Sequence, residues 1–301
     1  MTIDDNILYH KSNYDTIPVT IFFKEEIKMG LFSNYEKPGR GIDKYGPQKK
    51  GIFLYFELFF RKFTQLFKTN MLYFLISLPV FFVYHFIIYY DIKTLVPESF
   101  AGGDTDYLVF IATFIIAILW GTGFVSCGFS YNLRNFAKDE HVWIGSDFFG
   151  QIRKNLKQGL IFFAVDILAL FLLPFAVYVY AQMAAAGNKL ALVLVFLVLL
   201  LALIYTFAHF YIYQLAVTFK NKLREIYKNA FILALATAPI CLALTVLVGI
   251  CTFYVGMYLT PAGITVLCFF IWLVLLRFPI EFYALRVIKD RLMPTNEESD
   301  Y

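Results

Sequence analysis

Four ionisable side chains lie inside long apolar stretches of the sequence, where a charge is costly and therefore marks a candidate functional position. They are Asp166, His209, Arg277 and Glu281. Arg277 and Glu281 are one helical turn apart, so they can pair on one face of a helix. Asp166 can accept a hydrogen bond across a helix interface from either Arg277 or His209. We expect Arg277 and Glu281 to extend toward lipid headgroups and Asp166 to act as a polar clamp between helices.

Motifs for enzymatic chemistry are absent from the sequence, which contains no P-loop, no HExxH zinc motif and no GxSxG nucleophile elbow. Gly121 and Gly123 form an isolated pair, which close helix packing explains better than phosphate binding. The four cysteines fall in apolar segments without the spacing of a metal or redox site, so we expect reduced packing residues. They are Cys127, Cys241, Cys251 and Cys268. The sequence therefore predicts no enzyme, no cofactor and no metal.

The composition indicates that lipid surrounds this chain. Of its 301 residues, 60% are hydrophobic and 16% are charged, whereas globular proteins have roughly 45–50% apolar and about 25% charged residues. A soluble enzyme, a collagen-like chain and a disordered chain are thereby excluded. The net charge of +4 is carried by short basic segments between apolar runs rather than by one solvated patch. The predicted partner is therefore the lipid bilayer and not nucleic acid.

Six apolar runs are long enough to cross a membrane, since a hydrocarbon core of about 30 Å requires about 20 helical residues. They cover residues 70–90, 107–131, 159–181, 189–213, 229–257 and 262–284. The predicted fold is all-α, a polytopic membrane protein with about six transmembrane helices.

The distribution of Lys and Arg predicts the orientation of these spans. The segments on one side carry 20 of these residues, and those on the other side carry only Lys93 and Lys189. The basic segments are 29–70, 134–158, 220–229 and 286–301. Because basic segments stay in the cytoplasm, we expect a multi-pass protein of the bacterial cytoplasmic membrane with both termini cytoplasmic.

The remaining polar segments are predicted to lie outside the membrane. The expected division is a disordered extension at 1–28, a cytoplasmic arm at 29–51, the six-span membrane domain at 52–291 and an acidic tail at 292–301. Codons for Lys24, Glu25 and Glu26 can contain a bacterial ribosome-binding sequence ahead of Met29. Met29 is therefore the expected native start, and a translated extension is the alternative.

Three segments that precede the odd-numbered runs align without gaps, namely 59–68, 148–157 and 219–228. Apolar residues four apart with Lys and Arg between them are typical of a helix lying in the headgroup plane. The pattern predicts three helical hairpins, each preceded by an interfacial amphipathic helix and each with a proline-kinked first span. The prolines are Pro79, Pro174 and Pro239. The alternative is the ordinary basic and aromatic flank of a membrane helix.

Six basic residues in the second and third of these segments are predicted to face lipid or a partner protein. They are Arg153, Lys154, Lys157, Lys222, Arg224 and Lys228. A positive surface at the headgroups suits anionic lipid or an acidic rim on another membrane complex.

Several short motifs give the chain a resemblance to a known family. They are Met29-Gly30-Leu31-Phe32, Phe60-Arg61-Lys62-Phe63, Asn70-Met71-Leu72-Tyr73-Phe74, Ser77-Leu78-Pro79-Val80, Asp147-Phe148-Phe149 and Tyr227-Lys228-Asn229-Ala230-Phe231. From about Met29 to Arg291 the chain resembles the bacterial YesL family of small integral membrane proteins. The resemblance implies a protein of Gram-positive bacteria encoded beside carbohydrate importers of the ATP-binding-cassette type. It supplies no functional residues.

Two functions from different classes follow from these observations. The expected one is a non-enzymatic membrane accessory protein that assists or regulates carbohydrate uptake, with subunits of a sugar ABC importer as partners. The alternative is a small solute transporter or channel in its own right. A polar stripe along the whole bundle interior would favour the alternative, and the sequence has polar residues only toward the inner ends of the spans.

Overall fold

The computed structural model describes residues 51–95 and 105–293, and all regular elements within them are helices. The helices are α1 (Ile52–Arg61), α2 (Phe63–Leu95), α3 (Thr105–Trp120), α4 (Phe124–Ala137), α5 (Ile144–Lys154), α6 (Leu156–Ala185), α7 (Lys189–Thr218), α8 (Leu223–Ala236), α9 (Ala238–Tyr258), α10 (Pro261–Leu267) and α11 (Leu273–Leu292). A π-helical turn at Cys268–Trp272 joins α10 to α11. The predicted extension, nearly all of the predicted arm and nearly all of the predicted tail lie outside the described residues.

Five helical stretches are long and apolar enough to cross a membrane, and α3 with α4 makes a sixth when this bent pair is counted as one span. The five are α2, α6, α7, α9 and the continuous stretch from α10 to α11. Each has 21 to 32 residues in its candidate span, and about 20 suffice to cross the hydrocarbon core. The predicted all-α fold with about six transmembrane helices is confirmed, and the chain is a multi-pass membrane protein.

Three helical hairpins follow one another, and each begins with a short helix. These short helices are α1, α5 and α8, and a single residue separates each from the long helix that follows it, namely Lys62, Asn155 and Thr237. The return spans are α3 with α4, then α7, then α10 with α11. The predicted division into three hairpins with a preceding short helix agrees with this order.

The third hairpin departs from the predicted repeat. The predicted span at 229–257 is wrong as one continuous helix, because α8 ends before Thr237. The Thr237 hydroxyl donates to the Leu233 carbonyl at 2.7 Å. Pro239 consequently lies in the first turn of α9, where a proline removes no helical hydrogen bond. Pro79 and Pro174, by contrast, lie inside α2 and α6.

One end of the bundle collects most of the basic residues, and we call it the basic end. Its elements are joined by an ion pair from Arg61 to Asp139 at 2.6 Å, a hydrogen bond from Arg134 to the Val217 carbonyl at 2.9 Å, and one from Gln158 to the Asn221 carbonyl at 3.1 Å. These contacts bring the starts of α2, α6 and α8 together with the ends of α4 and α7.

α4 lies at the centre of the bundle. Ten of its 14 residues are buried, and it contacts α2, α5, α6, α7 and α11. α7 is buried mainly over its second half, from Tyr205 to Ala216, and its first half exposes leucines and a phenylalanine. That exposed apolar half is the kind of surface that lipid covers.

Candidate functional site

The span formed by α3 and α4 is interrupted at Gly121, Thr122 and Gly123. The helix axis bends by 61° at this point. Gly121 and Gly123 have φ angles of +80° and +61°, in the left-handed region that favours glycine. At 1.5 Å per residue, the break lies roughly 20–25 Å from either end of the span. The glycine pair therefore serves a break in the helix and not only close packing, although a Cβ on Gly123 would also lie 2.5 Å from Phe163 Cβ.

Side chains bind the backbone N–H groups at the start of α4. The N–H of Thr122 donates to Ser126 Oγ at 2.7 Å, and the N–H of Gly123 donates to the Tyr213 hydroxyl at 3.1 Å. The Thr122 hydroxyl also hydrogen-bonds Ser77 of α2 at 3.0 Å. Hydroxyl groups from α2, α4 and α7 thus satisfy the polar groups that the break releases.

Arg277 of α11 binds the carbonyl groups at the end of α3. Its Nη1 donates to the carbonyl oxygens of Ile118 and Leu119 at 2.9 and 3.0 Å, and its Nη2 donates to the carbonyl of His209 at 3.2 Å. The last carbonyls of a helix lack intrahelical donors and carry partial negative charge. A guanidinium is therefore well suited to this position.

Glu281 supplies the counter-charge of Arg277. Its Oε1 accepts from Arg277 Nε at 2.9 Å and from the Ser130 hydroxyl at 2.6 Å, and its Oε2 accepts from the Gln214 amide. Arg277 is 3% exposed and Glu281 is fully buried. The predicted pairing is present, but the predicted extension toward headgroups is wrong, because both side chains find partners inside the bundle.

Asp166 binds His209 rather than Arg277. Its Oδ1 lies 2.7 Å from His209 Nε2 and accepts a hydrogen bond from the Tyr205 hydroxyl at 2.6 Å. The Tyr213 hydroxyl donates to Oδ2 at 3.5 Å. All four side chains are buried. Asp166 is therefore a polar clamp between α6 and α7, in agreement with the expectation from sequence.

Each half of the broken span faces a charge of opposite sign. The carbonyl end of α3 faces Arg277, and the N–H end of α4 reaches Asp166 through the Tyr213 hydroxyl. Helix ends carry partial charges of about half an elementary charge, negative at the C-terminus and positive at the N-terminus. The four predicted ionisable residues thus meet at one site, since Arg277 also bonds the His209 carbonyl.

Ser130, Gln214 and two tyrosines complete this site, although the sequence analysis did not single them out. A signal existed for the serine, because Thr122, Ser126 and Ser130 are spaced four apart and share one helical face. The tyrosines carried no such signal, since the chain contains 21 tyrosines.

The structure also locates the remaining candidate ligands. Among the described residues, no group of three His, Cys, Asp or Glu side chains could hold a metal ion. The four cysteines are free thiols, of which Cys127, Cys241 and Cys268 are buried and Cys251 is partly buried. An open cavity of about 820 Å³ lies at the end opposite the basic end, lined by residues that include His85, Lys93, Asp106, Tyr107, Tyr258 and Thr260.

The six basic residues predicted to face lipid or a partner are all exposed at the basic end. We call them the basic surface: Arg153, Lys154, Lys157, Lys222, Arg224 and Lys228. The hydrogen bond from Gln158 to the Asn221 carbonyl joins the two segments that carry them. Residues far apart in sequence thereby form adjacent positive patches.

Comparison with known proteins identifies no relative: no family model, no curated protein and no solved structure matches the chain.

Proposed function

We propose that this chain is a non-enzymatic integral membrane accessory protein that docks on another membrane complex at its basic end. The observation that carries the proposal is the basic surface, with six exposed cations on two adjacent segments. Such a surface is complementary to an acidic rim on a partner. On the resemblance described above, the proposed partner is a carbohydrate importer of the ATP-binding-cassette type, whose uptake the chain assists or regulates.

The interior of the bundle supports an accessory role. Arg277 donates to Glu281 and to three backbone carbonyls, and Asp166 is surrounded by donors from α7. Removing one partner from such a buried set is strongly destabilising. The ionisable groups therefore hold the helices in one arrangement. They are not left free to hydrogen-bond a polar solute.

The proposed orientation puts the basic end and both termini in the cytoplasm of a bacterial cell. The support is the bias of Lys and Arg, of which 20 belong to the segments on one side and two to those on the other. A partner would then meet the basic surface at the level of the inner headgroups.

Anionic lipid is the competing ligand for the same surface. Each Lys or Arg near an anionic membrane contributes about 1 kcal/mol, and the attraction is screened over about 10 Å at 0.1 M salt. Lipid binding therefore depends on how many charges remain, whereas a docking site depends on which charge is lost.

Charge-neutralised pairs distinguish these two ligands. The test variants are Arg153→Gln with Lys154→Gln and, separately, Lys222→Gln with Arg224→Gln. Lys289→Gln with Arg291→Gln is the matched control, because it removes the same charge from exposed residues at the end of α11. We expect co-purification of importer subunits in mild detergent to fall several-fold in at least one test variant and to be retained in the control. Equal, small losses in all three, abolished by modest salt, contradict docking.

The interrupted span favours a second candidate, a small solute transporter or channel. Discontinuous helices whose ends face charges are found at the substrate sites of transporters, and here the bend of 61° lies between Arg277 and the Tyr213–Asp166 pair. Solute flux into proteoliposomes that contain this chain alone is the test. Flux that is lost in Gly123→Ala and retained in Gly249→Ala favours transport, and no flux favours the accessory role.

A further inference from the structure

Both ring nitrogens of His209 face oxygen atoms. Nε2 lies 2.7 Å from Asp166 Oδ1, and Nδ1 lies 3.3 Å from the backbone carbonyl oxygen of Tyr205. A carbonyl oxygen only accepts hydrogen bonds, so Nδ1 must carry a hydrogen to bond with it. A neutral imidazole has one N–H, and the contact with the Tyr205 carbonyl favours placing that hydrogen on Nδ1.

A second hydrogen must then lie between Nε2 and Oδ1. Without it, two lone pairs would face each other at 2.7 Å, which is repulsive. The hydrogen belongs either to an imidazolium beside a carboxylate or to a carboxylic acid beside a neutral imidazole. In both cases the Asp166–His209 pair carries one proton in addition to the hydrogen on Nδ1.

Charge balance favours the same state. With this proton the Asp166–His209 pair is net neutral, and without it the pair carries one negative charge in a buried environment, which is costly. Arg277 does not compensate that charge, because its guanidinium is already paired with Glu281 at 2.9 Å. The geometry and the charge balance therefore agree.

We propose that Asp166 and His209 together form a binding site for one exchangeable proton inside the membrane domain. This goes beyond docking at the basic end, since it concerns the interior of the bundle. Two tyrosine hydroxyls support exchange, because those of Tyr84 and Tyr227 are buried and have no hydrogen-bond partner among the described residues. Asp166 is an electrostatic neighbour of both.

Tyr227 belongs to α8 at the basic end, and burial raises its pKa, with the charge of Asp166 adding to the rise. Its phenol therefore keeps its proton. The phenols of Tyr227 and Tyr84 hydrogen-bond no described residue, so both are uncommitted donors that interact electrostatically with Asp166.

The titratable and charged groups around the pair and its tyrosine neighbours come from five helices. They are Tyr73 and Tyr84 of α2, Cys127 of α4, Tyr205 and Tyr213 of α7, Tyr227 of α8, and Arg277 with Glu281 of α11. Phenols and thiols are uncharged near neutral pH in their ordinary state, and Arg277 and Glu281 neutralise each other. Proton exchange is accordingly assigned to Asp166 and His209.

Proton binding is linked to the break between α3 and α4. The Tyr213 hydroxyl donates to Asp166 Oδ2 and accepts from the N–H of Gly123. Loss of the proton leaves the Asp166–His209 pair with a net negative charge, which strengthens the hydrogen bond from the Tyr213 hydroxyl to Asp166. The geometry at the start of α4 therefore responds to the occupancy of the site.

Nitrogen-15 NMR of histidine-labelled protein in lipid nanodiscs tests the site at about pH 7. We expect His209 to carry hydrogen on Nδ1, together with either hydrogen on Nε2 or a protonated Asp166. The infrared band of a carboxylic acid, assigned by carbon-13 labelling of aspartate, reports the second case and separates Asp166 from Glu281. A neutral His209 beside an ionised Asp166 would overturn the proposal.

A pH titration of the same sample tests exchange. As the pH is raised stepwise, the His209 signal should change and should return on reacidification, because an exchangeable proton leaves and rebinds. The His209 signal is identified by removing the other three histidines, His10, His85 and His141, one at a time. Asp166 and His209 themselves are therefore not mutated. His85→Gln is the matched control, because it removes another histidine of the spans that is hydrogen-bonded to a side chain, here Thr113, and should leave the transition unchanged. A His209 signal that is constant over this titration in folded protein rules out exchange, whatever the outcome of partner docking.

Discussion

The side-chain oxygen of Asn70 accepts a hydrogen bond of 2.7 Å from the backbone N–H of Val274. The Asn70 amide also donates to the carbonyls of Cys268 and Phe269, each at 2.8 Å. These are backbone groups in and just after the π-helical turn of the last span, where the regular helical hydrogen-bond pattern changes. One asparagine of α2 therefore satisfies a local irregularity in a span at the other end of the chain.

Asn70→Leu should destabilise the protein, because it leaves these buried backbone groups unpaired, at about 1–3 kcal/mol for each group. The measurement is thermal unfolding in detergent. Asn155→Leu is the control, since among the described residues the Asn155 amide bonds only to Gln151, one turn earlier in the chain. Equal losses of stability in the two variants would show that the bonds across helices have no special importance.

Asp166→Asn should lower thermal stability while leaving the topology unchanged. Asparagine keeps the shape of the side chain but loses the charge that binds His209 and the two tyrosines, and breaking a buried pair costs about 3–5 kcal/mol. Asp106→Asn is the matched control, because the Asp106 side chain is 78% exposed. An Asp166→Asn protein with unchanged stability and lost function would point to transport or signalling instead.

Gly121→Ala should destabilise the bundle. Its φ of +80° is unfavourable for alanine, at about 1–2 kcal/mol, and the added Cβ would lie 2.6 Å from Ser126 Oγ and 2.7 Å from Tyr213 Cε2. Gly249→Ala in α9 is the control, because within the described part of the chain its Cβ would meet nothing within 4 Å beyond the nearby backbone of its own helix. Unfolding in detergent should separate the two variants, and a Gly121→Ala protein as stable as Gly249→Ala would contradict the assigned strain.

Cysteine labelling in whole cells should place Lys154 and Ala186 on opposite sides of the membrane. Ala186 lies in the turn between α6 and α7, and Lys154 ends α5 at the basic end. With the native cysteines replaced by alanine, an impermeant reagent should modify Ala186→Cys and reach Lys154→Cys only after lysis. The reverse pattern would invert the proposed orientation.

Local sequence patterns predicted a short helix before each hairpin, but the aligned segments 59–68 and 148–157 cross the breaks at Lys62 and Asn155. The apolar run at 229–257 contains no charge that marks its interruption at Thr237, and the local signal is Pro239, which is typical of the first turn of a helix. Gly121 and Gly123 were correctly recognised as unusual. Their role in a break became apparent only when Arg277 and Tyr213 were found on either side of them.

The sequence by itself determined that the chain is helical, how many spans it has and which segments are basic, because hydrophobic length and charge act over about 20 neighbouring residues. Only the tertiary structure decided the partners of the buried charges. Arg277 and Glu281 can reach headgroups or the bundle interior from the same sequence positions, and Asp166 could have bound either of two donors. The choice depends on carbonyls and hydroxyls that helices distant in sequence bring within hydrogen-bonding distance, and no local pattern records that proximity.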